Sequence, residues 1–466
     1  MPDSARRWQQ RLIGTGQPAY LALAEAIADD IRNGVLQARD RLPPLRAVAT
    51  ALHLNYTTVA RGYAEAQARG LIDSHPGRGS FVRAQAASGP ARSVRSLGLV
   101  EMTMNLPPEP DDPVLMARMR RGHEQVMARH DLTVLLRYQP FGGDAQAREA
   151  GARWLAPLLP EVAAERVLVC PGIQSALVAV FSLLVRPGEV LCCEAITYPG
   201  VKAIATQLGV KLQGLAMDAD GIRPDAFETA CRVHRPKALY LNPTLQNPTT
   251  LTVPLTRRSE LARIALQYGI PVIEDDAYGL LPSDKVAPIA TLAPSLTYYL
   301  TGMAKHVGAG LRMAYLVAPD TSAVQRLSAV FRATTIMAPP MTVALATQWI
   351  DDGTAHAMLR ALRAESRRRQ ALVRQWLPAA QVRTHADAFH LWLELPPGWN
   401  RHLFAMQLRS IGVGVVASDA FVVSGVLPEA VRFCLGGPMS TQDCGHALEA
   451  MAALMLQSPD SIAGVH

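Results

Sequence analysis

Between residues 18 and 83 the apolar positions fall at helical spacing. Tyr20, Leu23, Ala24, Ile27 and Ile31 recur at steps of three and four, which predicts an amphipathic helix. Asn33-Gly34 ends it, since both residues accept the left-handed conformation past a helix terminus. Pro43-Pro44 leads into a shorter second helix with apolar positions Leu45, Val48, Ala49 and Leu52, and His53-Leu54-Asn55 makes a tight turn. A third helix puts Val59, Tyr63 and Ala66 on one face, with Thr57 and Arg61 near the opposite side. The stretch LIDSHPGRGSFVR (71–83) reads as two β-runs around Gly77-Arg78-Gly79. A short second helix, a turn of a few residues and a third helix with a polar face describe a helix-turn-helix, whose last helix enters the major groove with its N-terminal residues leading. The same spacing also fits a small helical interaction module with a solvated arginine face.

The pattern changes after residue 83. Residues 84–102, AQAASGPARSVRSLGLVEM, are small and polar with few large anchors, as in a linker. From 103 onward short β-like runs alternate with amphipathic stretches: RVLVC (166–170), EVLCCE (189–194), KALYL (237–241), PVIED (271–275), LTYYL (296–300) and AYLVA (314–318). That alternation predicts an α/β layer around a largely parallel sheet. The expected division is therefore 1–83, linker 84–102 and 103–466.

Composition sharpens this division. A chain of 466 residues with 49% hydrophobic and 18% charged residues has the length for about three folded units and is not a disordered protein. The net charge of +7 is uneven: residues 1–96 hold 13 Arg, no Lys and 7 Asp+Glu, whereas the remainder holds 33 basic against 32 acidic residues. The excess lies on the segment that reads as a DNA binder, where Arg41 and Arg46 suit phosphate contacts and Arg78 suits phosphate or the minor groove. No secretory signal is read at the start, and the most apolar segment, 173–185, is too short to span a bilayer. Six cysteines without C-x-x-C spacing read as reduced thiols, not a disulfide frame or a metal site. The expectation is a cytoplasmic protein with no metal.

Only five lysines occur, so a search for an aldimine-forming lysine is short. Lys202, Lys211, Lys237 and Lys285 have no surrounding motif. Lys305 follows the run LTYYLTG, ahead of a glycine-rich turn ending at Arg312, and strand ends are where α/β sheets bind ligands. Taken alone, the stretch reads better as a solvated loop lysine. Other residues change the balance: Asp275 ends PVIED and suits a pyridine nitrogen, while Tyr278 and Asn247 (in QNPT) suit a ring oxygen. Tyr198 in TYPG offers a flat face, and Pro171-Gly172-Ile173-Gln174 lies between a strand and a helix, where N–H groups can meet an anion.

The first segment resembles the GntR family of winged helix-turn-helix regulators from Pro18 to Val82, through RLP-x-x-R, T-V-x-R-x-Y, A-x-G-L-I and G-x-G-S-F-V. The resemblance implies operator DNA as partner, read by Arg41, Arg46, Tyr56, Thr57, Thr58, Arg61 and Arg78. Asn55-Tyr56 stands where the family often has Ser-Arg. Residues 103–455 resemble class I/II, fold-type I aminotransferases. That resemblance implies a large mostly parallel sheet domain, a smaller C-terminal α+β subdomain and pyridoxal 5'-phosphate (PLP) as cofactor. It further implies that Lys305 forms the PLP aldimine, Asp275 pairs with the ring nitrogen, Asn247 and Tyr278 hold the ring oxygen and Tyr198 stacks. Gly172, Ile173, Gln174 and Arg312 would hold the phosphate, Tyr138 would reach in from a second protomer, and Arg432 of VRFCLGG would grip an effector carboxylate. Departures are Gly302 and Ala304 in place of small hydroxyl residues, with Thr301 the nearest substitute, Thr250 in place of a glycine, and Cys434 in place of a serine.

The two modules together resemble the MocR group of bacterial regulators. The implied function is a PLP-dependent transcriptional regulator, a head-to-tail homodimer sensing PLP, an amine or an amino acid through Lys305. Two alternatives stay open: a working aminotransferase carrying a DNA-binding module, for which residual half-reactions would be the sign, and a regulator whose PLP site has decayed.

Overall fold

The computed structural model describes Trp8 and residues 18–32, 35–37, 40–68, 71–75, 79–82 and 100–457. It divides into two compact units between Val94 and Arg95. In the first, α1 (Ala19–Arg32), α2 (Leu45–Leu52) and α3 (Tyr56–Ala68) precede the antiparallel hairpin β1 (Ile72–His75) and β2 (Gly79–Val82). The helix spacing read from the sequence is the packing: Leu23, Ala24, Ile27, Val48, Leu52, Val59, Tyr63 and Ala66 share one buried core with Ile72 and Val82. Burying a side chain such as Leu23 or Val59 contributes roughly 1.5–3 kcal/mol. Gly62 lets α1 and α3 cross closely, because a Cβ there would lie 2.9 Å from Leu23 Cδ2. His53 turns the chain out of α2 in the left-handed region at φ 53°. Tyr63 is buried and donates its hydroxyl to the Pro43 carbonyl at 2.8 Å, fixing the entry to α2. The Asn33-Gly34 stop and the Gly77-Arg78 tip lie outside the described residues.

The second unit is built on a seven-stranded sheet. Following β3 (Val100–Glu101), its strands are β4 (Val167–Cys170), β5 (Val190–Glu194), β6 (Lys211–Leu215), β7 (Ala238–Leu241), β8 (Val272–Asp275), β9 (Thr297–Gly302) and β10 (Ala314–Val317). Their spatial order is β4-β10-β9-β8-β7-β5-β6, and only β10 runs antiparallel to its neighbours. All six β-runs read from the sequence are strands of this sheet. Five of them, β4, β7, β8, β9 and β10, are buried along their whole length, which is why they read as nearly continuous apolar runs. The seventh strand, β6, is an edge with only Leu215 fully buried, so it carries no such signal.

A smaller four-stranded antiparallel sheet follows, from β11 (Val382–Arg383), β12 (His390–Glu394), β14 (Val416–Ala417) and β15 (Ala430–Cys434), in the order β11-β12-β15-β14. The short strand β13 (Val413–Gly414) pairs in parallel with β3. This pairing corrects the sequence boundary: Val100, Glu101 and Met102, expected to end the linker, are part of the second unit. Met102 is fully buried in the core of the small subdomain, and its carbonyl accepts from the Cys434 amide at 2.9 Å. The remainder of the expected linker, 84–99, lies outside the described residues. All six cysteines are buried and free. Among the described residues no helix is long and apolar enough to cross a membrane.

Candidate functional site

A cavity of about 540 Å³ opens at the C-terminal ends of the parallel strands, where such sheets collect ligands. Gly172, Ile173, Gln174, Tyr198, Asn247, Asp275, Tyr278, Lys305, Arg312 and Arg432 all line it. Residues up to 260 positions apart thus converge, most of them from strand ends, helix starts and the loops that follow strands, and Arg432 from the middle of β15. Tyr138 does not line the cavity; it is 77% exposed on the surface.

The anion-binding end is built by β4 running into α4 (Ile173–Leu184). Gly172 caps that helix at φ 93° and provides no side-chain hydrogen bond, so the first-turn N–H groups remain available to an anion. A Cβ at Gly172 would sit 3.1 Å from an Arg312 guanidinium nitrogen, so the bare backbone and Arg312 face the same space. Tyr198 precedes α5 (Pro199–Leu208), and its hydroxyl donates to Gln174 Oε1 at 3.0 Å, which fixes the ring.

At the other end Asp275 terminates β8. Its Oδ2 accepts from the Tyr240 hydroxyl at 2.9 Å, while Oδ1 is buried with no partner. Burial pushes this carboxyl up to about 7. Asn242 ties two functional segments together: Nδ2 donates to the Asp275 carbonyl at 2.5 Å, and Oδ1 accepts from the Asn247 amide at 2.8 Å. The Asn247 loop is braced from behind by the fully buried Arg258, which donates to the Pro243 carbonyl and Thr244 Oγ1 at 3.0 Å each and pairs with Glu274 at 3.8 Å.

Lys305 donates Nζ to the Asn105 carbonyl, and burial lowers its ammonium to about 8, so a substantial share is neutral amine near physiological pH. The Asn105 side chain donates Nδ2 to the Tyr278 hydroxyl at 2.7 Å. Arg432 donates to Cys434 Sγ at 2.8 Å and to the Thr103 carbonyl at 2.6 Å, with Nε buried and unpartnered. Thr103, Asn105, Asn242 and Tyr240 were not singled out from the sequence. Apart from the Asn247 amide, five positions from Asn242, the site partners named for them lie 33 to 329 positions away, and no local motif marks them.

Three sequence departures acquire a physical meaning. Thr250 occupies φ 59°, the left-handed conformation that glycine adopts freely. Cys434 takes one guanidinium donor of Arg432, as a serine hydroxyl would. Thr301 does not replace the missing hydroxyls: it is fully buried, its Oγ1 donates to the Asp276 carbonyl at 3.1 Å, and it lies outside the cavity lining. The cavity nevertheless fits PLP. It offers an unpartnered carboxylate oxygen at Asp275, an unpartnered Asn247 Oδ1, a bare helix terminus beside Arg312, and a lysine with a lowered pKa. These match, in turn, a protonated ring nitrogen, a ring hydroxyl, a phosphate and an aldehyde.

In the first unit, Tyr56 at 52% exposure, Thr57 and Arg61 are exposed on α3, and Thr58 is half-buried. The Arg61 guanidinium lies 4.2 Å from the Tyr20 ring centroid, so the side chain is braced along α1. Arg46 is exposed on α2. Arg41 belongs to the wing: it forms a single antiparallel bridge with Phe81, and its guanidinium lies over that ring at 6.0 Å. Arg78 lies outside the described residues.

A family model described as aminotransferase class I and II matches residues 100–451, and one for bacterial regulatory proteins of the gntR family matches residues 19–82. An uncharacterized HTH-type transcriptional regulator of Bacillus subtilis, YdeF, is 27% identical over 96% of both chains. A 2-aminoadipate transaminase of Thermus thermophilus is 26% identical over 69% of this chain and 84% of its own. Among solved structures, the α-aminoadipate aminotransferase LysN of Thermus thermophilus shares the fold with a TM-score of 0.69 at 24% identity, covering 77% of this chain and 92% of that one.

Proposed function

We propose a function from one premise: the chain belongs to the aminotransferase class I and II family and carries a gntR-family domain ahead of it. That order of modules is the MocR layout, and the curated relatives with the same span are HTH-type transcriptional regulators. The protein is a PLP-dependent, DNA-binding transcriptional regulator. The observation that carries this reading is the convergence of Lys305, Asp275, Arg312 and Arg432 on one cavity in a chain that also bears a helix-turn-helix.

When bound, PLP supplies an aldehyde that reacts reversibly with primary amines. Lys305 is the amine that would hold it, and its burial keeps that amine partly deprotonated. Asp275 would accept a hydrogen bond from the protonated ring nitrogen, Tyr278 and Asn247 would orient the ring oxygen, and Tyr198 would cover one ring face. Gly172, Ile173, Gln174 and Arg312 would take the phosphate. Arg432, unlike lysine, presents a planar fork suited to a carboxylate on the effector. The effector would be PLP itself, or an amine or amino acid engaging PLP at Lys305. Tyr138, exposed together with Leu132 and Leu136, supports a head-to-tail homodimer in which each copy completes the other's site. Two heads would then read two half-sites through α3, with Tyr56, Thr57, Thr58 and Arg61 toward the bases and Arg41, Arg46 and Arg78 on phosphates.

The effector acts only by binding one protomer arrangement better than the other, and DNA must discriminate the same two states. A DNA-binding titration with and without PLP tests the regulator reading. The retained Lys305, Asp275 and Arg432 keep a working aminotransferase as the second reading. Sustained keto-acid release from an amino acid at enzyme-like rates would favour that one.

A further inference from the structure

The two cations that a ligand must use are already engaged by one short stretch of backbone. Lys305 donates to the Asn105 carbonyl and Arg432 to the Thr103 carbonyl, while the Asn105 amide holds the Tyr278 hydroxyl. This stretch follows β3, the first described element after residues 84–99. It runs so close to β15 that a Cβ at Gly436 would overlap the Leu106 carbonyl oxygen. Only the bare glycine lets residues 103–106 lie across the cavity, where all four are part of its lining.

We propose that residues 103–105 act as an internal competitor for the effector site, vacating Lys305 to PLP and Arg432 to a carboxylate. The inference rests on the effector-site reading above and names its regulation. A carbonyl offers each cation one neutral acceptor, whereas a ligand offers Lys305 a covalent partner and Arg432 a charged, bidentate one. Occupation of either cation therefore leaves one carbonyl of the stretch without its charged donor. PLP held by Lys305 together with a carboxylate held by Arg432 frees both. An effector whose own amine takes the aldehyde returns Lys305 as a free amine, so it frees only the Thr103 carbonyl, and only if it bears a carboxylate.

Backbone hydrogen exchange of the full-length protein over residues 102–107 tests this with four samples: ligand-free, succinate alone, PLP alone, and both. Succinate occupies Arg432 without reacting as an amine. Expected exchange is slowest without ligand, faster with either, and fastest with both, by about tenfold or more for the pair. Visible PLP absorbance with unchanged or slowed exchange overturns the inference and leaves the effector site standing. Absence of PLP absorbance overturns both. Gly436→Ala, which pushes the stretch out, is expected to exchange fast without ligand and to bind PLP about tenfold tighter. A folded variant, by circular dichroism, with wild-type exchange and affinity contradicts the proposal; if it fails to fold, the four-sample comparison decides.

Discussion

Replacing Asp275 with asparagine separates the cost of the site from its purpose. This carboxyl is buried, has one hydrogen bond, from Tyr240, and is pushed up to about 7 chiefly by desolvation. An acid whose folded pKa is raised favours folding fully below its unfolded value near 4, and that contribution is lost as pH rises through about 7. A displacement of about three pH units corresponds to a ceiling of about 4 kcal/mol at alkaline pH. The substituted asparagine has the same shape, keeps an acceptor for Tyr240 and carries no charge. The ligand-free Asp275→Asn variant should therefore melt above wild type at about pH 8, with the difference closing toward about pH 5. With PLP the sign reverses. The variant loses a charge-assisted bond to the ring nitrogen, worth roughly 1.5–3 kcal/mol, so affinity should fall about ten- to a hundredfold. Thermal melts across that pH range and absorbance titrations with PLP measure the two effects. A variant that melts below wild type at about pH 8, or binds PLP equally well, refutes the assignment of Asp275.

PLP attachment should accelerate as pH rises and level off above about 8, because Lys305 reacts as the neutral amine; a plateau only near 10 would place the lysine in solvent. Arg432→Ala should blunt the response to carboxylate-bearing effectors while PLP absorbance persists, and an unchanged response would mean an effector without a carboxylate. Arg46→Ala should weaken binding to all DNA sequences and reduce the salt slope by about one, as the loss of one phosphate contact does. Arg61→Ala should weaken specific binding and lower head stability by about 0.5–1 kcal/mol through the lost Tyr20 stacking, read by gel shift and thermal melt. Gel shifts unchanged in both arginine variants would discard the proposed DNA-reading surface.

The elements most legible in the sequence are those whose environment is uniform along their length. The buried runs of β4, β7, β8, β9 and β10 and the helical stripe of Leu23, Ile27, Val59 and Tyr63 could be read directly, because burial on a fixed face imposes a period. The edge strand β6 had no such imposition. Within the cavity, residues with a local chemical signature were found: a lysine after a strand, an aspartate ending one, a glycine before a helix. The groups that hold those residues in place were not. Asn105 meets Lys305 across 200 positions and Thr103 meets Arg432 across 329, and hydrogen bonds to carbonyls leave no residue preference to read. The boundary at Val100 was missed for a related reason. A two-residue strand paired with Val413–Gly414 has too little length to show a period.

Binding of the full-length protein to a footprinted fragment of its own promoter region, titrated with and without PLP in wild type and in Lys305→Ala, tests the central claim most directly. Regulation through this site predicts that PLP shifts wild-type DNA affinity by about fivefold or more and leaves the Lys305→Ala protein unmoved. An equal shift in both proteins, or no shift in wild type that shows PLP absorbance, would contradict it.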